Sequence, residues 1–324
     1  MTDAASCVTL GDRSLDCTYA ELAELVDALD SGSSGSNAFG VQVPGPAFFI
    51  DDDALTITIA PVDRMLTSLQ NPLVKQFRKL HQAKGRQETG LFLLEGTHLL
   101  EEAWAIGCPL QIVCCTPEWE ARNPTLWERL EQLAQRLELV SPEVLKAVAT
   151  TVHPDGIVAV VERGDRLLPK DFISLGLLLE TIQDPGNLGT IIRTAAAAGA
   201  EGLWLSHDSV DLDHPKVLRA SAGQWFRLPM QVADLPATIA HHKKQGIQVV
   251  ATSPTASLTY WQADFRSPTL ILLGNEGAGL SAPIAALADT HITIPVSPHV
   301  ESLNVSIAAA LILYEAKRQR VISC

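Results

Sequence analysis

The sequence lacks most features that mark secreted, membrane-bound or metal-binding proteins. No apolar run reaches the length of about 18 to 20 residues that spans a bilayer. The first residues, MTDAASCVTLGDRSLDC, have neither the basic start nor the apolar core of a signal peptide. The six cysteines form no CxxC pair and have no histidines at zinc-ligand spacing. These absences predict a cytoplasmic protein with no structural metal and no membrane partner.

Basic residues are also scarce, with 24 lysines and arginines against 37 acidic residues and a formal net charge of -13. Because nucleic-acid binding needs clustered lysine and arginine, the distribution of charge matters more than its sum. Residues 1–64 carry a net charge of -9, which leaves only -4 for the rest of the chain. One run without acidic residues contains Lys75, Arg78, Lys79, Lys84 and Arg86. It is either an RNA contact surface or a solvated helix face.

Common nucleotide-binding and nucleophile signatures are missing as well. The sequence contains no GxxxxGK[ST] loop and no GxSxG elbow. The glycines of residues 274–279 are spaced GxxGxG, whereas a dinucleotide fingerprint is spaced GxGxxG. A nicotinamide-dependent oxidoreductase would need that fingerprint after its first strand. It therefore remains only a rival hypothesis, which titration with NAD would test.

Three segments in the second half of the chain share one pattern, namely a buried-type strand, a loop rich in Gly, Asn, Pro or Ser, and a helix. Residues 180–200 read ETIQDPGNLGTIIRTAAAAGA and residues 270–281 read LILLGNEGAGLS. Residues 292–320 read ITIPVSPHVESLNVSIAAALILYEAKRQR. In an open α/β sheet, ligands bind at the carboxyl ends of the strands. We therefore expect these three loops to form one ligand site.

The acidic segment of residues 1–64 differs in composition from the rest of the chain and contains none of these motifs. It has an amphipathic helix candidate at residues 19–29, a Ser/Gly-rich linker at residues 31–37 and a β-like piece at residues 54–60. We interpret it as an appendage without catalytic residues. It is either an extension that folds onto the body or upstream sequence that precedes a start at Met65.

Two α/β domains are predicted after the extension, at residues 65–165 and 166–324, with a hinge at residues 164–172. The first domain begins with a helix over residues 68–82 that Asn71 caps. One strand begins at Phe92, and two further strands cover residues 110–116 and 156–163. In the second domain, strands are predicted at residues 175–180, 202–206, 226–232, 247–252, 270–274 and 292–296. Helices between most of them indicate a mainly parallel sheet that is covered on both faces.

The three motifs together resemble the signature motifs of the SpoU/TrmH family of RNA ribose 2′-O-methyltransferases. The residues that carry the resemblance are Asn187, Gly189, Arg193, Gly274, Asn275, Glu276, Gly277, Gly279, Pro295, Ser302, Leu303 and Asn304. The resemblance implies a SPOUT-type parallel sheet with a C-terminal trefoil knot. Through Glu95 and Gly96, the preceding domain resembles the substrate-binding domain of many such enzymes, which is related to RNA-binding ribosomal proteins.

The cofactor that the resemblance implies is S-adenosylmethionine, held in a bent form largely by backbone groups of the knotted loops. By motif position, the implied contacts are Gly274, Asn275, Gly277, Ile294 and Leu303. Thr252 and Ser253, at the end of an earlier strand, are further candidates. Without the resemblance, Ile294 and Leu303 would be interpreted as core residues.

The implied catalytic residues are Arg193, Asn187, Glu276, Ser302 and Asn304. Arg193 lies off the apolar stripe of its helix, and we expect it to hold an RNA phosphate, with that phosphate or a water accepting the 2′-hydroxyl proton. Asn187 is expected to cap the helix. Ser302 and Asn304 open the last helix, whose amino end favours an anion. Glu276 either binds loop amides or acts as a general base.

The resemblance also implies RNA, from rRNA or tRNA, as the substrate and a homodimer formed through the last helix. In that helix, residues 302–320, we expect a stripe of Val305, Ala308, Ala309 and Ile312, together with Tyr314, to cover the partner. The separate N-terminal domain favours rRNA. A non-catalytic RNA-binding protein that retains the fold is the alternative, and the intact motif residues argue against it.

Overall fold

The computed structural model describes residues 7–8, 48–51, 56–59, 65–164 and 168–322. The chain divides into two compact units, Met1–Arg64 and Met65–Cys324. In the first unit, β1 (Cys7–Val8), β3 (Thr56–Ile59) and β2 (Phe48–Asp51) pair in that order as an antiparallel sheet. Strand β3 lies within the predicted β-like piece. The helix and linker predicted at residues 19–37 lie outside the described residues.

The second unit begins with a small domain built on a four-stranded mixed sheet. Its elements are α1 (Pro72–Lys79), α2 (Ala83–Thr89), β4 (Leu91–Glu95), α3 (Thr97–Ala105), β5 (Leu110–Cys115), α4 (Pro117–Arg122), α5 (Pro124–Glu131), β6 (Ala134–Leu139), α6 (Pro142–Val148) and β7 (Ile157–Glu162). The sheet order is β4-β7-β5-β6, and only the β5–β6 pair is parallel. The predicted cap is confirmed, since Asn71 Oδ1 accepts the N–H of Leu73 at 2.9 Å. Edge strand β6 was not predicted, because charged Arg136 and Glu138 interrupt its apolar pattern.

The rest of this unit is a seven-stranded sheet with every neighbouring pair parallel, in the order β10-β9-β8-β13-β11-β14-β12. Its strands are β8 (Leu175–Leu179), β9 (Gly202–Leu205), β10 (Met230–Val232), β11 (Gln248–Thr252), β12 (Leu258–Thr259), β13 (Thr269–Leu273) and β14 (Thr290–Thr293). Its helices are α7 (Pro185–Ala198), α8 (Pro215–Ala220), α9 (Leu235–Lys244), α10 (Ala282–Ala285) and α11 (Val305–Ile322).

The predicted parallel sheet is confirmed, with two corrections to the strands. The segment expected as a strand from residue 226 begins as a 3-10 turn, Gln224–Phe226, and extends only from Met230. The last strand ends at Thr293, because Pro295 has no N–H to donate to a ladder, so Ile294 lies in the loop that follows. The two-residue strand β12 was too short to be read from sequence.

Both faces of the parallel sheet are buried. On one face, Leu177 of β8 and Ile271 of β13 pack with α7 and α11. On the other, Leu178 and Leu270 of the same strands pack with α9 and α10. These strands are nearly continuous apolar runs because successive side chains point to opposite covered faces. The trefoil knot stays a prediction.

Ion pairs between arginines and carboxylates join the small domain to the parallel-sheet domain. Arg86 Nε donates to Asp211 Oδ2 at 3.0 Å, and Arg163 pairs with Asp211 and Asp213. Arg219 Nη1 donates to Glu95 Oε2 at 2.7 Å. Arg86 therefore fits neither interpretation of the basic run, as an RNA contact surface or as a solvated helix face, because its side chain is only 1% exposed and pairs with Asp211 at this junction. Over the residues described here, each helix is too short or too polar to cross a membrane.

Candidate active site

The three motif loops meet at the carboxyl end of the parallel sheet. Strands β8, β13, β11 and β14 are consecutive neighbours in the sheet, so the loops that leave them start side by side. Together the loops after β11, β13 and β14 line a cleft of about 1190 Å³. The first-motif loop, after β8, joins them through hydrogen bonds to the second motif. This geometry is consistent with the expectation that the three motif loops form one ligand site.

The Glu276 carboxylate ties the first two motif loops together. Its Oε1 accepts the N–H of Asp184 at 3.0 Å and the side-chain amide of Asn187 at 3.2 Å. The N–H of Gln183 donates to both carboxylate oxygens, at 3.2 and 3.3 Å. The side-chain amide of neighbouring Asn275 approaches Oε2 at 3.4 Å. Glu276 therefore binds loop amides, which is one of the two roles expected from the sequence.

These bonds also decide the charge state of Glu276. Burial raises its pKa, but donors that include the N–H groups of Asp184 and Gln183 and the amide of Asn187 outweigh burial and hold the pKa below its usual range. A carboxylate with a lowered pKa whose lone pairs are already occupied is a weak proton acceptor. The geometry thus favours a positioning function for Glu276 over a general base.

The first and third motifs are joined through two asparagine side chains. Asn304 Nδ2 donates to Asn187 Oδ1 at 2.9 Å, and the Asn187 amide in turn donates to Glu276. The Asn304 oxygen accepts both the N–H and the hydroxyl of Ser306, at 2.8 and 2.6 Å. A continuous chain of hydrogen bonds thus runs from Ser306 through Asn304 and Asn187 to Glu276.

The capping residues differ from those expected. Asp184, not Asn187, caps α7, because its Oδ1 accepts the N–H groups of Gly186 and Asn187 at 2.7 and 2.9 Å. The Asp-Pro step at residues 184 and 185 is typical of a helix start, because aspartate is a preferred N-cap and proline a preferred first helical residue. Asn304 is the residue that precedes α11 and bonds its first turn. Ser302 lies two residues further upstream, where it is exposed and lines the cleft, so it is not a cap.

The second-motif loop is a tight turn closed by its own backbone. Asn275 and Gly279 exchange two backbone hydrogen bonds of 3.0 Å, and Asn275 Oδ1 accepts the N–H groups of Gly277 and Ala278 at 2.9 Å. A Cβ on Gly274 would lie 2.1 Å from the Gly279 carbonyl carbon and 2.2 Å from the Leu280 nitrogen. The close approach that requires glycine at position 274 is therefore to the loop itself.

Every residue predicted to contact the cofactor lines the cleft. These residues are Thr252, Ser253, Gly274, Asn275, Gly277, Ile294 and Leu303. Thr252 and Ser253 follow β11, and the Thr252 hydroxyl donates to the Leu272 carbonyl at 3.2 Å. Ile294 and Leu303 are partly exposed, unlike the fully buried residues of the sheet. They supply apolar walls to the cleft in addition to packing, as an adenosine-bearing ligand requires.

The charges around the cleft exclude a ligand rich in phosphate. Among the described residues that line it, none is lysine or arginine, and the carboxylates are Glu276 and Glu301. A dinucleotide or nucleoside triphosphate would bring several negative charges without a basic partner. A cationic ligand fits better. S-Adenosylmethionine carries a sulfonium and an ammonium, and the residues present are suited to it.

Arg193 lies on α7 and is not among the residues that line the cleft. It lies off the buried stripe of α7, formed by Leu188, Ile191, Ile192 and Ala195, as the sequence predicts. The side chain is exposed, lies outside the cleft lining and has no ion-pair partner among the described residues. An exposed, unpaired guanidinium is available to an external anion.

Two supporting contacts were not anticipated from the sequence. Glu180 Oε1 accepts the Ser281 hydroxyl at 2.6 Å, and Oε2 accepts the Ser281 N–H at 2.8 Å, which fixes the far end of the second motif. Thr181 has a positive φ of 55° and its N–H donates to the Ser206 hydroxyl at 2.8 Å. Such partners are distant in sequence, and no local pattern indicates them.

Comparisons with known proteins agree with this geometry. Residues 174–314 match the SpoU rRNA Methylase family, and residues 71–159 match the MRM3-like substrate binding domain. The chain is 51% identical over 257 residues to an uncharacterized tRNA/rRNA methyltransferase of Synechocystis sp., covering 79% of this chain and 94% of the relative. It is 33% identical over 257 residues to the 23S rRNA (guanosine(2553)-2′-O)-methyltransferase RlmP of Bacillus subtilis, covering 78% and 99%. The crystal structure of an AdoMet-bound rRNA methyltransferase from Sinorhizobium meliloti superposes with a TM-score of 0.69 at 33% identity, covering 78% of this chain and 97% of that one.

Proposed function

The chain belongs to the SpoU rRNA methylase family, and from that premise we propose that it methylates a ribose 2′-hydroxyl of ribosomal RNA with S-adenosylmethionine as the methyl donor. One observation carries the proposal. The hydrogen-bonded chain of Glu276, Asn187 and Asn304 joins three motif loops beside a cleft without lysine or arginine, while Arg193 stands exposed nearby in the first motif.

The cofactor is proposed to lie in the cleft against Ile294 and Leu303, with the turn of residues 274–279 supplying backbone groups. When bound, S-adenosylmethionine supplies a methyl group on a positively charged sulfur. The apolar walls exclude water from the adenosine, and the absence of basic side chains avoids repulsion of the sulfonium. Thr252 and Ser253 close the cleft on the side of β11.

The chain's own residues position the RNA and handle the proton. Arg193 is proposed to hold the phosphate beside the target ribose through two parallel N–H donors. An arginine cannot serve as the base at neutral pH, because a guanidinium stays protonated in proteins. The bound phosphate or a water accepts the 2′-hydroxyl proton. The rate gain then arises mainly from alignment of the ribose oxygen with the methyl group.

Three of the remaining catalytic residues act by positioning the motif loops. Glu276 and Asn187 hold the first-motif loop at a fixed distance from the second motif, and Asn304 attaches the third. Ser302 is the motif residue whose hydroxyl is exposed in the cleft without an intramolecular bond among the described residues. We assign Ser302 a direct contact with the ribose or its phosphate.

The three proposed domains are residues 1–64, 65–165 and 166–324. The substrate-binding match at residues 71–159 supports RNA binding by the middle domain. The name of the Bacillus subtilis relative specifies 23S rRNA, which supports rRNA over tRNA and a cytoplasmic location. No observation favours the non-catalytic alternative, because each polar motif residue is present, Asn187, Glu276 and Asn304 are hydrogen-bonded to one another, and Arg193 and Ser302 are exposed to a ligand.

We also propose a homodimer, with a corrected interface. The apolar stripe expected to face a partner was wrong, because Val305, Ala309 and Ile312 are buried in the chain's own core. Of the expected residues, Tyr314 is on the outer face of α11, where it is 51% exposed, and Ile307, which is 50% exposed, lies on the same face. They line a groove of about 460 Å³ with Tyr260, Ala310, Leu311 and Glu315. Light scattering is expected to give twice the chain mass, and a fully active monomer would contradict the assembly.

The decisive experiment is a map of ribose methylation across total RNA from cells with and without this protein. We expect one 2′-O-methyl position in rRNA to disappear and to return when the intact gene is restored. Restoration with Arg193→Ala should fail. An unchanged rRNA map, or a loss confined to tRNA, would refute the proposed substrate.

A further inference from the structure

The cleft contains one carboxylate that the proposed reaction does not use. Of the described residues that line it, none is lysine or arginine, and the carboxylates are Glu276 and Glu301. The Glu276 carboxylate already accepts hydrogen bonds from Gln183, Asp184 and Asn187. Glu301 has no hydrogen-bond or ion-pair partner among the described residues, and it is exposed. It is thus the acidic group of the cleft that is available to a ligand.

The chemistry of the cofactor provides a matching partner. S-Adenosylmethionine has two positive groups, the ammonium of its amino-acid end and the sulfonium, and the cleft offers one free negative side chain. An ammonium donates three hydrogen bonds, whereas a sulfonium has no hydrogen to donate, so a carboxylate recognises the ammonium more specifically. The sulfur must also stay accessible to the ribose oxygen, so the amino-acid end is the cationic part of the cofactor that a side chain can hold.

The position of Glu301 supports the same assignment. It directly precedes Ser302 and Leu303, and all three line the cleft ahead of α11. Leu303 provides an apolar wall for the adenosine, while Glu301, further from the helix, is exposed. Apolar and anionic groups are thus arranged along one short segment, as the two ends of the cofactor require.

We propose that the Glu301 carboxylate binds the ammonium group of S-adenosylmethionine and so selects ligands that carry an amino-acid end. This inference rests on the proposed function, because it presupposes that the cleft holds that cofactor. Glu301 is a binding residue, and its removal is expected to weaken cofactor affinity without disturbing the hydrogen bonds of Glu276.

Calorimetric titration of the full chain with three ligands tests the inference. S-Adenosylmethionine carries both positive groups, S-adenosylhomocysteine carries the ammonium but not the sulfonium, and 5′-methylthioadenosine lacks both, together with the carboxylate of the amino-acid end. In Glu301→Gln, we expect the first two to bind about three- to tenfold more weakly, by equal factors, as for a partly exposed charge-assisted pair. Affinity for 5′-methylthioadenosine should be unchanged, which also shows that the cleft is intact. The difference should shrink at high salt.

The control is Glu128→Gln, which removes the same charge from an exposed position outside the cleft lining and should change no affinity. Three results would overturn the inference: no effect of Glu301→Gln on any ligand, an equal loss for all three ligands, or a loss confined to S-adenosylmethionine. The last result would assign Glu301 to the sulfonium. If the unmodified chain binds none of the ligands, the proposed function itself has failed.

Discussion

The side-chain amide of Asn304 donates a 2.9 Å hydrogen bond to the side-chain oxygen of Asn187, across 117 positions of sequence. Because the Asn187 oxygen is held by Asn304, its amide nitrogen must face Glu276, to which it donates at 3.2 Å. The orientation of one side chain is therefore fixed from two other motifs. A change at Asn187 should therefore release the third motif from the first and weaken the link between the first motif and Glu276, which the N–H groups of Gln183 and Asp184 still hold.

Asn187→Asp is expected to lower the rate of methyl transfer by about 100-fold or more, because misplacement of reacting groups by about 1 Å has effects of that size. The new carboxylate cannot donate to Glu276 and adds a like charge beside it. Cofactor affinity should change little, since Asn187 lies outside the cleft lining. Single-turnover kinetics and calorimetry measure the two effects. The control is Thr194→Ala, further along α7, which should react normally.

Glu276→Gln separates a positioning carboxylate from a general base. The folded protein holds the pKa of Glu276 below its ordinary value. The ionised carboxylate therefore stabilises the loops fully at any pH above the ordinary pKa of a glutamate. This stabilisation is lost only as pH falls through the lowered pKa. We expect Glu276→Gln to slow the reaction while the pH–rate profile between about pH 6 and 8 keeps its shape. Loss of an acidic limb in the variant would instead identify Glu276 as the base.

The glycines of the second motif offer a matched pair of variants. In Gly274→Ala the new Cβ would collide with the Gly279 and Leu280 backbone at 2.1 to 2.2 Å, whereas in Gly277→Ala the nearest atom is Asn275 Oδ1 at 3.6 Å. We expect Gly274→Ala to abolish cofactor binding through distortion of the turn and Gly277→Ala to bind nearly normally. Calorimetry with S-adenosylmethionine measures both. Equal affinities for the two variants would show that the turn tolerates a side chain at position 274.

Much of the fold was predictable because its strands are buried on both faces and its helices carry caps. The strands at Leu175–Leu179 and Thr269–Leu273 are uninterrupted apolar runs, and Asn71 is followed by proline at a helix start. Edge strand Ala134–Leu139 was not predicted, because an edge strand that is only partly buried has no strict apolar pattern.

The site was predictable only as a set of residues, not as a set of contacts. The motifs identified Asn187, Glu276 and Asn304, and loop amides were one of two roles expected for Glu276, but no pattern indicated that Asn304 bonds Asn187 or that the donors to Glu276 come from the first-motif loop. Arg86 was misread for the same reason. Its buried pairing with Asp211 depends on the packing of two domains, while its sequence neighbours are exposed cations. Local sequence determines secondary-structure propensity and helix capping, whereas the hydrogen-bond partners of polar groups are set by tertiary structure.

Arg193→Ala is expected to abolish methyl transfer while cofactor affinity stays within about twofold of the original, because the guanidinium is exposed and outside the cleft lining. Arg193→Lys keeps the charge but loses bidentate geometry, so it should recover RNA binding more than turnover. Filter binding and single-turnover assays measure the two properties. Turnover at the original rate in Arg193→Ala would remove this residue from the active site.

A chain that begins at Met65 is expected to keep methyl transfer, because residues 1–64 contain none of the motif residues and form a separate unit. Its removal takes away a net charge of -9, which repels the RNA backbone over about 10 Å at 0.1 M salt. RNA affinity should therefore be equal or slightly higher at low salt, and the gain should fade as salt rises. Filter binding of an rRNA fragment across a salt series measures this. If the shortened chain is folded by circular dichroism but no longer binds or methylates RNA, the first 64 residues belong to the substrate site.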